Sequence, residues 1–251
     1  MGQPIISSFR RYEVKYFLTE QQRSALLPEL EQYFRMDEYG LHTISNLYYD
    51  TERYDITRES IDRPVYKEKL RVRSYGTPAP DGDVFVEIKK KYDGVVYKRR
   101  ITARADEADF LVSGFCPAGQ LGQIGREIQW FQQRNRTRPK VFIGYDRLAF
   151  AGIDDPELRI TFDTNIRWRT TDLDLRCGDY GVPLGGYGDV LMEIKIPGTA
   201  PLWLAHLLSE AGVFSTSFSK YGSCFVLIVY ILLYSGFSLS DTVISVGVSK
   251  V

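Results

Sequence analysis

The segment Lys67-Glu68-Lys69-Leu70-Arg71-Val72-Arg73 places a cation at every second position. In a β-strand the side chains alternate between faces, so Lys67, Lys69, Arg71 and Arg73 share one face while Leu70 and Val72 take the other. Like charges set side by side repel unless water screens them or an anion neutralises them. The same period recurs at Arg11, Glu13 and Lys15, at Glu87, Lys89 and Lys91, at Lys98 and Arg100, at Tyr145 and Arg147, at Arg159, Thr161 and Asp163, and at Glu193 and Lys195. The opposite faces carry Val14, Val84, Val86, Ile88, Leu148, Ile160, Phe162, Met192 and Ile194. One explanation is a sheet with a solvated charged face, where cross-strand ion pairs contribute a few tenths of a kcal/mol each. The other is a sheet closed into a barrel, whose lumen is lined by cations and a few carboxylates. Arg and Lys bind phosphate oxygens through charge-assisted hydrogen bonds, and the carboxylates would hold a hard divalent cation bridging those oxygens. The central strands are biased to Arg and Lys, and Glu-x-Lys recurs at Glu13/Lys15, Glu87/Lys89 and Glu193/Lys195; both features weaken the solvated reading.

The elements that must position these residues are mostly strands. Phe9 to Leu18 alternates as a strand, and Thr19 followed by Gln22 is a capping-box signal for a helix through about Phe34. Ile44 to Tyr49 reads as a short strand and Glu52 to Ser60 as a helical turn or two. Pro64 breaks that helix, and three strands form an antiparallel meander over Val65 to Tyr75, Asp83 to Tyr92 and Val95 to Ala103, with Asp93-Gly94 as a hairpin turn. Helical segments fill Ala105 to Asn135, including Gly125 to Arg134. Further strands are expected at Lys140 to Phe150, Leu158 to Trp168 and Asp189 to Ile196, and a short helix at Pro201 to Ala211.

Composition narrows the field. With 251 residues, 44% of them hydrophobic and 25% charged, the chain is of the ordinary globular class. Its 32 basic and 32 acidic residues give no overall field that would draw it to nucleic acid, so any anion affinity is local. Cys116, Cys177 and Cys224 are odd in number and lack metal-ligand spacing, which fits structural thiols in a reducing compartment. Met1 to Arg11 has no apolar core of a secretory signal. The two histidines, His42 and His206, lie off the charged motifs and read as structural. No Gly-x-x-x-x-Gly-Lys precedes Ser or Thr, so there is no P-loop.

The segments Arg11-Tyr12-Glu13-Val14-Lys15-Tyr16, Lys69-Leu70-Arg71-Val72-Arg73, Phe85-Val86-Glu87-Ile88-Lys89, Gly144-Tyr145-Asp146-Arg147, Met192-Glu193-Ile194-Lys195 and Phe218-Ser219-Lys220-Tyr221 occur in the order of the VTC (vacuolar transporter chaperone) domain. The chain resembles that polyphosphate polymerase domain of the triphosphate tunnel metalloenzyme superfamily from about Phe9 to Tyr221. The resemblance implies an α+β fold, an antiparallel β-barrel with flanking helices. It implies that Lys15, Arg71, Arg73, Lys89, Arg147, Arg159, Lys195 and Lys220 contact phosphates, with Lys69, Lys98 or Arg100, Tyr145 and Ser219 nearby. It makes Glu193 the ligand of a divalent metal, Mn²⁺ or Mg²⁺. The implied reaction moves the terminal phosphoryl group of ATP to a growing polyphosphate chain and releases ADP. The alternatives are a tunnel triphosphatase and a non-catalytic polyphosphate-binding module. The CYTH branch of the superfamily usually opens with Glu-x-Glu-x-Lys; Arg11 replaces the first of those carboxylates here, which favours the polymerase branch.

The chain as given reads as a stand-alone catalytic domain over residues 1–221, without the SPX domain and multi-helix membrane domain of eukaryotic relatives. Residues 222–251 form a tail. Tyr221 to Ser240 carries no charge, and Phe225 to Tyr234 is wholly apolar or aromatic. A packed helix is the expected form, with a membrane anchor as the alternative, since a span needs about 20 apolar residues. The expected location is cytoplasmic, with membrane association only through that tail; oligomeric state is left open.

Overall fold

The structure is a computed structural model, and it describes residues 11–93, 95–113, 122–186 and 188–234. Gly94 of the expected hairpin turn, Cys116, residues 235–251 and the side chain of Arg11 lie outside what is described. The strands are β1 (Arg11–Leu18), β2 (Phe34–Met36), β3 (His42–Asp50), β4 (Tyr66–Tyr75), β5 (Asp83–Tyr92), β6 (Val95–Arg104), β7 (Arg138–Gly152), β8 (Arg159–Arg169), β9 (Val182–Pro183), β10 (Val190–Pro197) and β11 (Ser215–Thr216). The helices are α1 (Glu20–Leu30), α2 (Asp55–Ile61), α3 (Ala108–Val112), α4 (Gly122–Asn135), α5 (Leu202–Glu210) and α6 (Lys220–Tyr234).

All the strands form one antiparallel sheet in the order β11-β1-β10-β8-β7-β3-β4-β5-β6, with β2 and β9 added at its margins. Five strands separate β1 from β5 in that order. If the sheet were flat they would lie about 29 Å apart at the usual inter-strand spacing, yet Lys89 Nζ of β5 is 3.9 Å from Glu13 Oε2 of β1. The sheet is therefore curled so that the luminal side chains of β5 and β1 reach each other. It is not closed: among the described residues no hydrogen-bonded ladder joins β6 to β1 or β11. The expected barrel is thus a curled sheet with a seam, and its strands and helices make the α+β architecture read from the sequence.

Two apolar clusters lie on the outside of the curl. Helices α1 and α5 cover Phe150, Ile160, Phe162, Met192 and Ile194, with Val14 at the margin. Helices α3 and α4 cover Leu70, Val72, Val84, Val86 and Ile88. The apolar faces of the alternating strands thus point outward under helices, and the charged faces point into the lumen. This decides between the two explanations of the period-2 pattern.

A third apolar cluster lies inside. Ile44, Tyr48, Val141, Ile143, Tyr145, Trp168 and Leu191 line the lumen, and Phe218, Tyr221, Cys224 and Ile228 fill it. The start of α6 thus plugs part of the tunnel. The expected domain boundary at residue 221 falls within the first turn of this helix, and Ser223, Cys224 and Ile228 beyond it are buried. Burial pushes the Cys224 thiol up, away from reactivity. No helix among the described residues is long and apolar enough to cross a membrane.

Helix α1 starts on the expected capping box, with Thr19 Oγ1 accepting from Gln22 N at 3.1 Å. It ends at Leu30 rather than near Phe34, because Phe34–Met36 pairs with Phe150–Gly152 of β7.

Candidate active site

One wall of the lumen is built by the meander. In the ladder between β4 and β5, Lys69 stands opposite Lys89 and Arg71 opposite Glu87; between β5 and β6, Lys98 stands opposite Lys89 and Arg100 opposite Glu87. Glu87, whose side chain is only 1% exposed, is the hub of this wall. Its Oε2 accepts from Arg71 Nε at 2.8 Å and its Oε1 is 2.6 Å from Lys98 Nζ, with Arg73 Nε at 3.9 Å. Although burial opposes ionisation, Arg71, Arg73 and Lys98 hold this carboxyl at about 2. Arg73 also donates to Asn46 Oδ1 at 2.9 Å and to Tyr145 Oη at 3.3 Å, and Arg71 donates to Tyr48 Oη at 3.0 Å.

The facing wall comes from β7, β8, β10 and β1. A register shift at Gly144/Asp146 in β7 re-aims the strand next to Tyr145 and Arg147. Arg147 makes a two-pronged contact with Asp163, at 2.6 and 2.8 Å. Lys220 Nζ, brought in by the start of α6, is 2.6 Å from Asp163 Oδ2 and 3.2 Å from Glu193 Oε1. Glu193 also lies 3.6 Å from Lys15 Nζ and 3.7 Å from Arg147 Nη2. Burial works against the Glu193 charge, but Lys220, Lys15 and Arg147 hold its carboxyl well below the usual range. Burial likewise opposes the Lys220 charge, and Asp163 and Glu193 overcome it and raise its pKa.

The two walls meet at the segment before α6. Lys15 Nζ donates to the Phe218 carbonyl at 3.0 Å, and Lys69 Nζ donates to Ser219 Oγ at 3.3 Å. Ser219 Oγ in turn accepts from Gly222 N in the first turn of α6. The helix is fixed from below by Asp50, which is fully buried. Its carboxylate accepts from Thr51 N ahead of α2, from Ile56 N and Thr57 N in the first turn of α2, and from Tyr221 Oη at 2.9 Å. Burial nonetheless raises the Asp50 pKa above its ordinary value.

The positive charge in the lumen exceeds the negative. Among the described residues Glu13, Asp50, Glu87, Asp163 and Glu193 are its carboxylates, set against Lys15, Lys69, Arg71, Arg73, Lys89, Lys98, Arg147, Lys195 and Lys220. The consequence shows at Lys69, where burial, then the neighbouring ammoniums of Lys67, Lys89 and Lys15, push the pKa down to about 8. Burial lowers Lys89 and Lys195 too, with other cations adding to it. Lys98 falls to about 8, chiefly through burial and despite Glu87.

The residues expected from the sequence divide by position. Lys15, Lys69, Arg71, Arg73, Lys89, Arg147, Lys195, Lys220, Tyr145, Ser219 and Glu193 converge on the lumen. Lys98 and Arg100 lie toward its open edge on β6, where the Arg100 guanidinium sits 4.8 Å from the centre of the Phe85 ring. Arg159 shares the luminal face by register with Thr161 and Asp163, but its side chain is exposed and donates to the Pro156 carbonyl at 3.2 Å. Asn46 and Tyr48 were not singled out by the sequence. Their only signal was their place on the alternating strand at Ile44 to Tyr49.

A divalent cation would find hard oxygen donors beside Glu193. Thr161 stands opposite it on β8, and the buried Thr161 hydroxyl has no hydrogen-bond partner. Glu13 feels the Glu193 charge: burial and then Glu193 oppose its ionisation, and Lys89, Lys15 and Lys195 outweigh them and lower its pKa. Glu193, Thr161 and Glu13 thus suit a cation whose remaining ligands are substrate oxygens. No group of three or more His, Cys, Asp or Glu residues suited to a metal occurs among the described residues.

A curled antiparallel sheet with a cationic lumen forms a β-tunnel suited to polyanions. The sequence profile of the VTC domain matches residues 10–229, and the chain belongs to the VTC domain family. Membership implies an enzyme that handles triphosphates with a divalent cation. No curated protein matches the chain. Among solved structures, a putative adenylate cyclase from Vibrio parahaemolyticus is 15% identical, with a TM-score of 0.47 over 87% of this chain and 98% of that one. A putative adenylyl cyclase from Hippeastrum, HpAC1, described as having a dominant triphosphatase activity, is 16% identical, with a TM-score of 0.48 over 83% and 92%. The PH1819 protein from Pyrococcus horikoshii OT3 is 11% identical, with a TM-score of 0.47 over 87% and 99%.

Proposed function

We propose that this chain is a metal-dependent polyphosphate polymerase, which transfers the terminal phosphoryl group of ATP to a polyphosphate chain and releases ADP. The observation that carries the reading is the surplus of cations on both walls of the lumen, which a bound polyanion would neutralise. Family membership supports the same direction. Phosphoryl transfer asks the protein for positioning and charge stabilisation more than for covalent chemistry, so the absence of a nucleophile motif is expected.

In this reading Arg71, Arg73 and Lys89 hold phosphate oxygens from one wall, and Lys15, Arg147 and Lys220 from the other. Lys69, Lys98, Lys195, Arg100 and Arg159 extend the cationic track toward the mouth for the polymer. Lys220 and Arg147 are held in place by Asp163, so their donors are oriented before substrate arrives. Mn²⁺ or Mg²⁺ at Glu193 would neutralise charge on phosphate oxygens when bound.

The test is to incubate purified protein with ATP and Mn²⁺ or Mg²⁺, and to resolve polyphosphate and ADP. Chain growth with stoichiometric ADP is expected, lost in Glu193→Gln while tripolyphosphate binding persists without metal. Free phosphate released from ATP or tripolyphosphate without chain growth would instead mark a triphosphatase. Binding without turnover would mark a binding module.

A further inference from the structure

The cationic track ends at a rim of aromatic rings. Tyr75 closes the luminal face of β4, two residues beyond Arg73, and its ring centre is 5.7 Å from that of Phe85 in an edge-to-face contact. Phe85 stands opposite Arg73 in the ladder, so it shares the layer of the phosphate-facing arginine, and Tyr75 lies one step beyond both. His42, opposite Arg147 on β7, lies 5.8 Å from Tyr75 on its other side. The Tyr75 side chain is half exposed, at 53%, whereas Arg73 beneath it is buried. The Tyr75 ring is held by Phe85 and His42 and leaves its remaining surface open to solvent at the end of the cationic track.

We infer that Tyr75, backed by Phe85 and flanked by His42, is the platform on which the base of a nucleoside triphosphate stacks while its phosphates reach Arg73 and Arg147. The inference rests on the reading that the lumen takes a nucleoside triphosphate, and it adds where the nucleoside lies. Two residues along a strand advance about 6.7 Å, a step comparable with a ribose between base and first phosphate. Every base has a π-face, so a stacking platform recognises bases without a hydrogen-bond code and favours purines by their larger surface. The substrate class is therefore purine nucleoside triphosphates with little preference between adenine and guanine.

The test compares ATP with inorganic tripolyphosphate, which shares the phosphates but has no base. In Tyr75→Ala the Kd for ATP should rise about tenfold, in line with the cost of removing one stacking ring, while the Kd for tripolyphosphate stays unchanged. In Tyr75→Trp, ATP and GTP should quench the introduced indole and tripolyphosphate should not. If Tyr75→Ala weakens both ligands alike or neither, or if the indole ignores ATP, the platform is refuted while the lumen reading stands. If wild-type protein binds neither ATP nor tripolyphosphate, the lumen reading falls and the platform with it.

Discussion

Lys69 gives a prediction with two arms of opposite sign. In the free protein burial and the ammoniums of Lys67, Lys89 and Lys15 hold its pKa at about 8, against an ordinary 10.5. A polyanion in the lumen favours the charged form, so the complex keeps Lys69 protonated where the free protein has lost the proton. Affinity is then complete below pH 8 and falls as pH rises above it. Between pH 7 and pH 9 the protonated fraction drops about tenfold, which corresponds to about 1.4 kcal/mol of binding free energy. Folding runs the other way. A base whose folded pKa is depressed destabilises the fold below that pKa, because the unfolded chain binds the proton more readily. The penalty is relieved as pH climbs from about 8 to 10.5, and the gap corresponds to about 3 kcal/mol. Isothermal titration with tripolyphosphate at pH 7, 8 and 9, on wild type and Lys69→Arg, isolates the binding arm, because titration of the ligand itself cancels between the two proteins. Urea midpoints at the same pH values and at pH 10 read the folding arm. The guanidinium stays charged throughout, so the variant should lose neither the affinity nor the stability penalty. Equal pH dependence of binding in the two proteins would refute the placement of Lys69 among unneutralised cations.

Glu87→Gln should cost about 3–5 kcal/mol in urea unfolding, since it leaves Arg71, Arg73 and Lys98 without their shared counter-charge. The wild-type contribution of this carboxylate is present above its ordinary 4.5 and drains away as pH falls toward about 2; the acid limb of the stability curve should be shallower in the variant. Tyr221→Phe should cost about 1–3 kcal/mol by removing one of the donors to the buried Asp50 carboxylate. Amide exchange in α6 should rise more than in α1, whose packing does not depend on that bond.

The meander was readable because each strand carries both signals at once, an apolar face and a cationic face at period 2. Asp83–Tyr92 is placed to the residue, and its neighbours to within one. The short strands β2, β9 and β11 were not legible. They have two or three residues each, too few to show a period, and the partners of β2 and β11 lie far along the chain. At the site, Lys15, Arg71, Arg73, Lys89, Arg147, Lys195 and Lys220 do converge, but alternation could not say toward which side of the sheet. That depended on helices covering the apolar face. Asp163 and Glu87 were visible as charges on the right face, yet their role as hubs comes from burial, which no local pattern encodes. Arg159 fits the pattern as well as any residue, and its exposed side chain follows from where its strand begins.

The seam between β6 and β1 has a mechanical meaning. In a closed barrel the number of strands and their stagger fix the bore, and widening it breaks a ladder. Here the ends of the sheet face each other across the Lys89–Glu13 ion pair, with both side chains partly exposed, and such pairs contribute about 0–1 kcal/mol. What joins the two walls on the inside is the segment before α6, through the Lys15–Phe218 and Lys69–Ser219 contacts. The bore is thus tied to the seating of one helix, where a closed barrel would tie it to the count of its strands.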